Sequence, residues 1–224
     1  MHHRGECQQQ NSVIRFAKLY HFCETSKDDK QSVTGFFSNQ ITLIISSRRA
    51  MSTTTTTTTT TPATADLCDK YVTSPSRLVV VQPGLFRDFG GRRCFSGPIE
   101  TIRCFESNPL VRETLSEPGK ARVLVVDGGG STRCAILGDL LATMALENNW
   151  AGLIIYGCIR DSAIIEKIPV GVKALSTHPV KSIKTQMGER GIVVAFAGVQ
   201  FVPGQWLYAD ADGILVSETK LTLE

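Results

Sequence analysis

Apolar positions in this chain come in short unbroken runs, and each of the two strongest ends on charge. VLVV (123–126) stops at Asp127 and three glycines, and GLIIYGCI (152–159) stops at Arg160 and Asp161. β-Branched runs of this length predict strands covered on both faces. Between them, residues 140–148 are rich in Leu, Ala and Met and predict a helix. Strand, helix and strand make a βαβ unit, whose ligand sites lie at the carboxyl ends of its strands. Those ends carry glycines, two aspartates and an arginine.

The flanking pattern supplies the rest of the layers. Residues 63–71 predict a helix with Thr64 as its N-cap, and LVVVQ (78–82) a strand after the Ser74–Pro75 turn. A glycine- and arginine-rich loop (84–97) leads to an alternating strand, PIETIRCF (98–105). Residues 108–120 predict a short helix, with Asn108 as cap, Pro109 in its first position and Pro118–Gly119 as its stop. After the βαβ unit come a helical turn (162–167), a strand with a glycine kink (168–175) and a strong strand broken at Gly198 (191–201). Residues 202–218 then predict a turn, a strand, an Asp-rich tight turn and a final strand. The expected class is α/β, with sheets and helices around one core.

Composition changes this picture mainly at the N-terminus. The 224 residues, 42% hydrophobic and 20% charged, suit one ordinary domain with a tail. Residues 1–50 show no sustained period, and nine threonines (53–61) follow Met51 and Ser52. A threonine tract buries nothing, so residues 1–62 are expected to be an extension with a disordered linker, and 63–224 the domain. Basic residues in the first fifty admit an organelle-targeting peptide, but Glu6, Glu24, Asp28 and Asp29 count against it, and Met51 as the working start fits better.

The net charge of +3, with no basic stripe, favours neither nucleic acid nor a membrane surface as a partner. No apolar run reaches the ~20 residues of a membrane span. Seven scattered cysteines without a C-x-x-C pair suit a reducing compartment, so the expected location is cytoplasmic.

Two residue pairs carry the candidate chemistry. Gly138 and Asp139 open the Leu-rich helix, whose N-terminal N–H groups and dipole attract carboxylates. Asp139 also reads as an ordinary helix cap. Arg160 can grip a planar carboxylate with both prongs, and Asp161 beside it can hold a hard divalent cation, although adjacent Arg and Asp also describe a surface ion pair. Their common position at one end of the βαβ unit points to a small anionic substrate. Gly128–Gly129–Gly130 lack the spacing of a nucleotide loop and predict a tight turn near that site. Asp210, Asp212 and Gly213 predict a hairpin turn rather than a calcium loop, and His178 before Pro179 reads as structural.

Gly138–Asp139, twenty intervening residues, then Arg160–Asp161 resembles the G-D-x20-R-D signature of class II 4-hydroxy-4-methyl-2-oxoglutarate aldolases in the RraA-like family, named for regulators of ribonuclease E activity. VLVVDGGGSTRCAILGD, NNWAGLIIYGCIRD and WLYADADGILVSE support the match, which runs from Ala63 to Glu224. The resemblance implies a swivelling β/β/α domain assembled as a trimer or a dimer of trimers, with sites near subunit boundaries. It implies a Mg²⁺ or Mn²⁺ ion, cleavage of 4-hydroxy-4-methyl-2-oxoglutarate to two pyruvates, and oxaloacetate decarboxylation as a side activity. By the same resemblance, backbone N–H groups of Gly138, Asp139, Leu140 and Leu141 hold the pyruvyl carboxylate. Arg160 then binds substrate oxygens, Asp161 holds the metal, and Asp139 orients a water that takes the C4-hydroxyl proton. The family also contains non-enzymatic inhibitors of a ribonuclease, and those tend to lack the aspartate after the arginine. This chain keeps Asp161, which favours the enzyme. A phosphohistidine carrier, another role of swivelling domains, needs an exposed histidine, for which His178 is a poor candidate.

Overall fold

The computed structural model describes residues 61–73, 78–185 and 187–223. Residues 1–60, which hold all of the extension but Thr61 and Pro62, and the Ser74–Pro75 turn lie outside them. The elements in chain order are α1 (Thr64–Tyr71), β1 (Leu78–Val80), β2 (Arg87–Asp88), β3 (Phe95–Arg103), α2 (Pro109–Ser116), β4 (Val123–Asp127), β5 (Ala135–Leu137) and α3 (Asp139–Glu147). There follow β6 (Gly152–Ile159), α4 (Ser162–Ile165), β7 (Gly171–Thr177), β8 (Glu189–Arg190), β9 (Val194–Phe196), β10 (Val199–Phe201), β11 (Trp206–Ala209) and β12 (Ile214–Ser217).

The unbroken apolar runs are the central strands. β3, β4, β6 and β7 lie side by side and parallel. β3 also belongs to a second, antiparallel group: its residues 95–98 pair with β11, which pairs with β12, which pairs with β1. The alternation within β4 shows why such a run needs cover on both faces. Leu124 and Val126 join α2 and α3 in one core, with Leu115, Leu141 and Trp150. Val123 and Val125 face the other way, into a core with Phe201, Leu207 and Val216. Helices, parallel sheet and antiparallel sheet are therefore stacked as β/β/α layers, the expected class.

The structure corrects several local expectations. Thr64 is not the cap of α1; Ala63 is, and Thr64 instead donates to Asp210 from both its N–H and its Oγ1, each at 2.7 Å. Asp210 also accepts from the N–H groups of Asp212 and Gly213, so the Asp-rich turn is a hairpin corner that reaches across to the first helix. Residues 191–201 form a hairpin, β9 and β10, around Ala197 and Gly198, both with positive φ. The kinked strand starts later, at Gly171, and α2 stops at Ser116.

The correction that matters most for function is β5. This three-residue strand pairs with the end of β6, with Leu137 opposite Ile159. It is therefore β5, not β4, that leads directly into α3. Because of that register, Gly138 and Arg160 leave the sheet side by side.

Candidate active site

The residues that follow β5 and β6 share one wall of a cavity of about 450 Å³, a size suited to a small ligand. Gly138 is the N-cap of α3 in an extended conformation, and its carbonyl accepts from the N–H groups of Leu141 and Ala142. Arg160 N–H donates to the Leu137 carbonyl at 2.9 Å, which ties the two strand ends together. The Nε of Arg160 lies 3.2 Å from Oδ2 of Asp161, and both side chains keep about a third of their surface open, 38% and 33%. A charged pair so exposed is available to a ligand and contributes little to the fold.

Asp161 adopts a left-handed conformation (φ 58°) as it turns the chain from β6 into α4. Aspartate tolerates that region better than most residues. Its Oδ2 comes back against Gly138, where a Cβ would stand 2.9 Å away. Gly138, Asp139, Leu140, Leu141 and Arg160 line the cavity; Asp161 does not, and touches Gly138 and Arg160 from behind that lining. The Leu140 N–H donates to Oδ1 of Asp139 at 2.8 Å, but the N-cap position belongs to Gly138, so Asp139 is not the helix cap that its residue type suggested.

Asp161 is a single hard carboxylate, and among the described residues no group of three or more His, Cys, Asp or Glu gathers around one point. That donor set does not suit zinc, which takes three or four protein ligands. It does suit Mg²⁺ or Mn²⁺ held by one carboxylate, with water and substrate oxygens completing the shell.

Two other expectations receive different answers. The three glycines do form a tight turn, with Gly129 and Gly130 both at φ 67° and the N–H groups of Gly128 and Gly130 on the Tyr156 carbonyl. They pack against Phe105 and Tyr156, however, and are not among the cavity's lining residues, because β5 intervenes between them and α3. His178 accepts at Nδ1 from the Val180 N–H at 3.2 Å and is not among the residues that line the cavity. Cys68, Cys104, Cys134 and Cys158 are free thiols, and burial pushes Cys104 up to about 12.

The sequence reading missed the cavity's second wall, which includes Asn108 and Arg112 of the α2 turn and Lys181, Ser182 and Lys184 of the segment after β7. That segment is held by backbone bonds: Ala135 N–H to Val180 O, Ser182 N–H to Ala135 O and Ile183 N–H to Glu106 O. The Nδ2 of Asn108 donates to the Ile136 carbonyl rather than capping its helix. Only the like charge of Lys181 and Lys184, in a stretch without apolar period, hinted at this wall.

The family model described as RraA-like, Aldolase/RraA, matches residues 64–216. A protein of Alkalilimnicola ehrlichii, provisionally named a 4-hydroxy-4-methyl-2-oxoglutarate aldolase, is 56% identical over 158 residues, which cover 70% of this chain and 96% of that protein. Among solved structures, one described as an S-adenosylmethionine:2-dimethylmenaquinone methyltransferase from Geobacillus kaustophilus is 51% identical, with a TM-score of 0.67 over 71% of this chain and 97% of that one. The RNA-processing inhibitor RraA of Thermus thermophilis is 40% identical, with the same TM-score of 0.67 over 72% and 95% of the two chains.

Proposed function

The chain belongs to the RraA-like family, and from that premise we propose that it is a divalent-metal-dependent class II aldolase that cleaves 4-hydroxy-4-methyl-2-oxoglutarate into two pyruvates, with oxaloacetate decarboxylation as a side activity. One observation carries the reading: the register of β5 on β6 sets the N-terminus of α3, Arg160 and Asp161 around one point.

The substrate's C1 carboxylate takes the N-terminus of α3, where it replaces Oδ1 of Asp139 on the Leu140 N–H. Arg160 faces the C2 oxygen. Asp139, freed from its own helix, orients a water that accepts the C4-hydroxyl proton. The C3–C4 bond then breaks: its electron pair moves toward C2 as a pyruvate enolate, and C4 becomes the keto carbon of the other pyruvate. Protonation at C3 releases the second product. Decarboxylation of oxaloacetate passes through the same enolate, with carbon dioxide as the leaving group. A preorganised positive charge beside the enolate oxygen is the main source of rate, and Arg160 supplies it from the protein. A divalent cation, held by Asp161 directly or through water, supplies further Lewis-acid charge when bound. No lysine Schiff base is needed.

Exposed apolar side chains beside the site, Leu140 (66%) and Ile164 (52%), support assembly as a trimer or dimer of trimers with sites near subunit boundaries.

A pyruvate-coupled assay with 4-hydroxy-4-methyl-2-oxoglutarate and with oxaloacetate, with Mg²⁺ or EDTA, tests the proposal. Turnover is expected with the metal and lost in EDTA and in Asp161→Ala. Unchanged turnover in that variant refutes the assignment. Capture of a ribonuclease without any turnover would select the inhibitor role instead.

A further inference from the structure

The reaction just described spends every charged group of the first wall and leaves one atom unserved. C3 of the enolate must gain a proton before the second pyruvate can leave. When the hydroxy acid is cleaved, the proton taken from its C4 hydroxyl is available to return there. Oxaloacetate has no such hydroxyl, so its enolate needs a separate donor. Water is a weak acid, and a positioned side chain typically speeds such a transfer by about 10²–10⁴-fold.

The cavity lining holds few groups able to do this. Arg112 and Arg160 do not give up their protons in proteins, and the Asn108 amide and the Ser182 hydroxyl are no better acids than water. Asp139 enters the reaction on the side of the base. Among the lining residues, that leaves the ammonium groups of Lys181 and Lys184, both on the second wall.

The two lysines are anchored differently. Lys181 forms an isolated bridge with Ala135, which lines the cavity with it. Its neighbours close that bridge: Ala135 N–H donates to the Val180 carbonyl at 2.8 Å, and Ser182 N–H to the Ala135 carbonyl at 3.1 Å. Ala135 opens β5, the strand that runs into Gly138 and α3. Lys184 instead follows Ile183, which bridges to Ser107, and precedes Thr185, whose carbonyl accepts from Ser107 Oγ. Lys181 is therefore fixed to the strand that carries the first wall, and Lys184 to the turn before α2.

We propose that Lys181 is the general acid that protonates C3 of the enolate. The inference rests on the reading of the first wall as a 2-oxo acid site. In this step an N–H bond of the Nζ ammonium breaks, and the π pair of the enolate forms the C3–H bond while the C2 oxygen returns to a carbonyl. The lysine, left neutral, regains a proton from water. The acid then stands on one wall and the base on the other, so neither transfer waits on the other's group.

Proton NMR of pyruvate in D₂O with the full chain and Mg²⁺ reads this step in reverse, as exchange of methyl protons for deuterium. Lys181→Ala is expected to slow exchange by about 10²-fold or more. Lys181→Arg should be as slow, because a guanidinium keeps the charge but does not transfer a proton. Methylamine should restore part of the exchange in Lys181→Ala, and Lys184→Ala should lose less than Lys181→Ala. Lys181 is exposed, so the variants should melt with the wild type. Exchange retained in either Lys181 variant overturns the proposal, as does loss in both without rescue by the amine. Borohydride in the presence of pyruvate should leave Lys181 unmodified; a reduced adduct there would make it a Schiff-base nucleophile instead. A wild type that neither exchanges nor cleaves removes the aldolase assignment and this proposal together. A wild type that cleaves without exchange, or whose exchange is indifferent to Lys181, leaves the assignment standing and removes the acid.

Discussion

Gly138 and Asp161 stand against each other: a methyl group on Gly138 would lie 2.9 Å from Oδ2 of Asp161 and 3.3 Å from Nε of Arg160. Twenty-three positions apart in sequence, the two are brought together by the pairing of β5 with β6. The glycine keeps the space that the carboxylate and the guanidinium occupy.

Gly138→Ala should therefore separate activity from stability. The Gly138 backbone, at φ −133° and ψ −177°, is extended and open to any residue. The alanine methyl would meet Oδ2 of Asp161 and the Nε and Cγ of Arg160, atoms of two partly exposed side chains that can move. The melting temperature is expected to stay within a few degrees of wild type, since surface changes rarely exceed about 0.5 kcal/mol. Turnover should drop by roughly 10²-fold, because displacing a catalytic group by about 1 Å costs that much. Pyruvate release and thermal melting of the same preparation check both halves; a variant with full turnover would remove Gly138 from the site's design.

How much of this was readable beforehand follows from where each signal resides. The runs at 123–126 and 152–159 state their burial locally, and so β4, β6 and the helix between them were legible. That Gly138–Asp139 and Arg160–Asp161 lie near one another was legible as residue type and spacing, sharpened by the family resemblance. β5 was not, because three residues carry no period, and neither were the two-residue strands β2 and β8. The cavity's second wall depends on contacts such as Ser107 with Ile183, which leave no local pattern at either partner. Thr64 looked like a cap because threonine often is one; its true acceptor is 146 residues away.

Acid sensitivity offers a second test, away from the site. Arg190 donates from both Nη1 and Nη2 to the two oxygens of Glu117, each at 2.8 Å, and holds that carboxyl below the usual carboxylate range. A carboxyl with a depressed folded-state pKa adds stability above its unfolded value, about 4.3 for Glu, and loses it as pH falls through the folded value. Glu117 keeps 46% of its side-chain surface open, so the contribution is under about 1 kcal/mol. Glu117→Gln should then be slightly less stable than wild type at pH 7, with the two unfolding midpoints converging as pH drops below about 4. Urea unfolding at several pH values measures this; a difference that grows in acid would reverse the sign and exclude the ion pair as its cause.

The last prediction concerns the buried carboxylate of Asp210, which is 7% exposed and joins the first helix to the last hairpin. It accepts from Thr64 N–H and Oγ1 at 2.7 Å, from Asp212 N–H at 3.0 Å and from Gly213 N–H at 3.3 Å. Hydrogen bonds to a charged acceptor are worth about 1.5–3 kcal/mol each, though bonds sharing one carboxylate do not add. Asp210→Ala leaves these donors without their acceptor and should cost about 2–4 kcal/mol in chemical denaturation. Asp210→Asn keeps one acceptor oxygen and should cost less. Asp210 does not line the cavity, so specific activity per folded molecule should match wild type. A variant that loses activity while its stability is unchanged would mean that the Asp-rich turn serves the reaction rather than the fold.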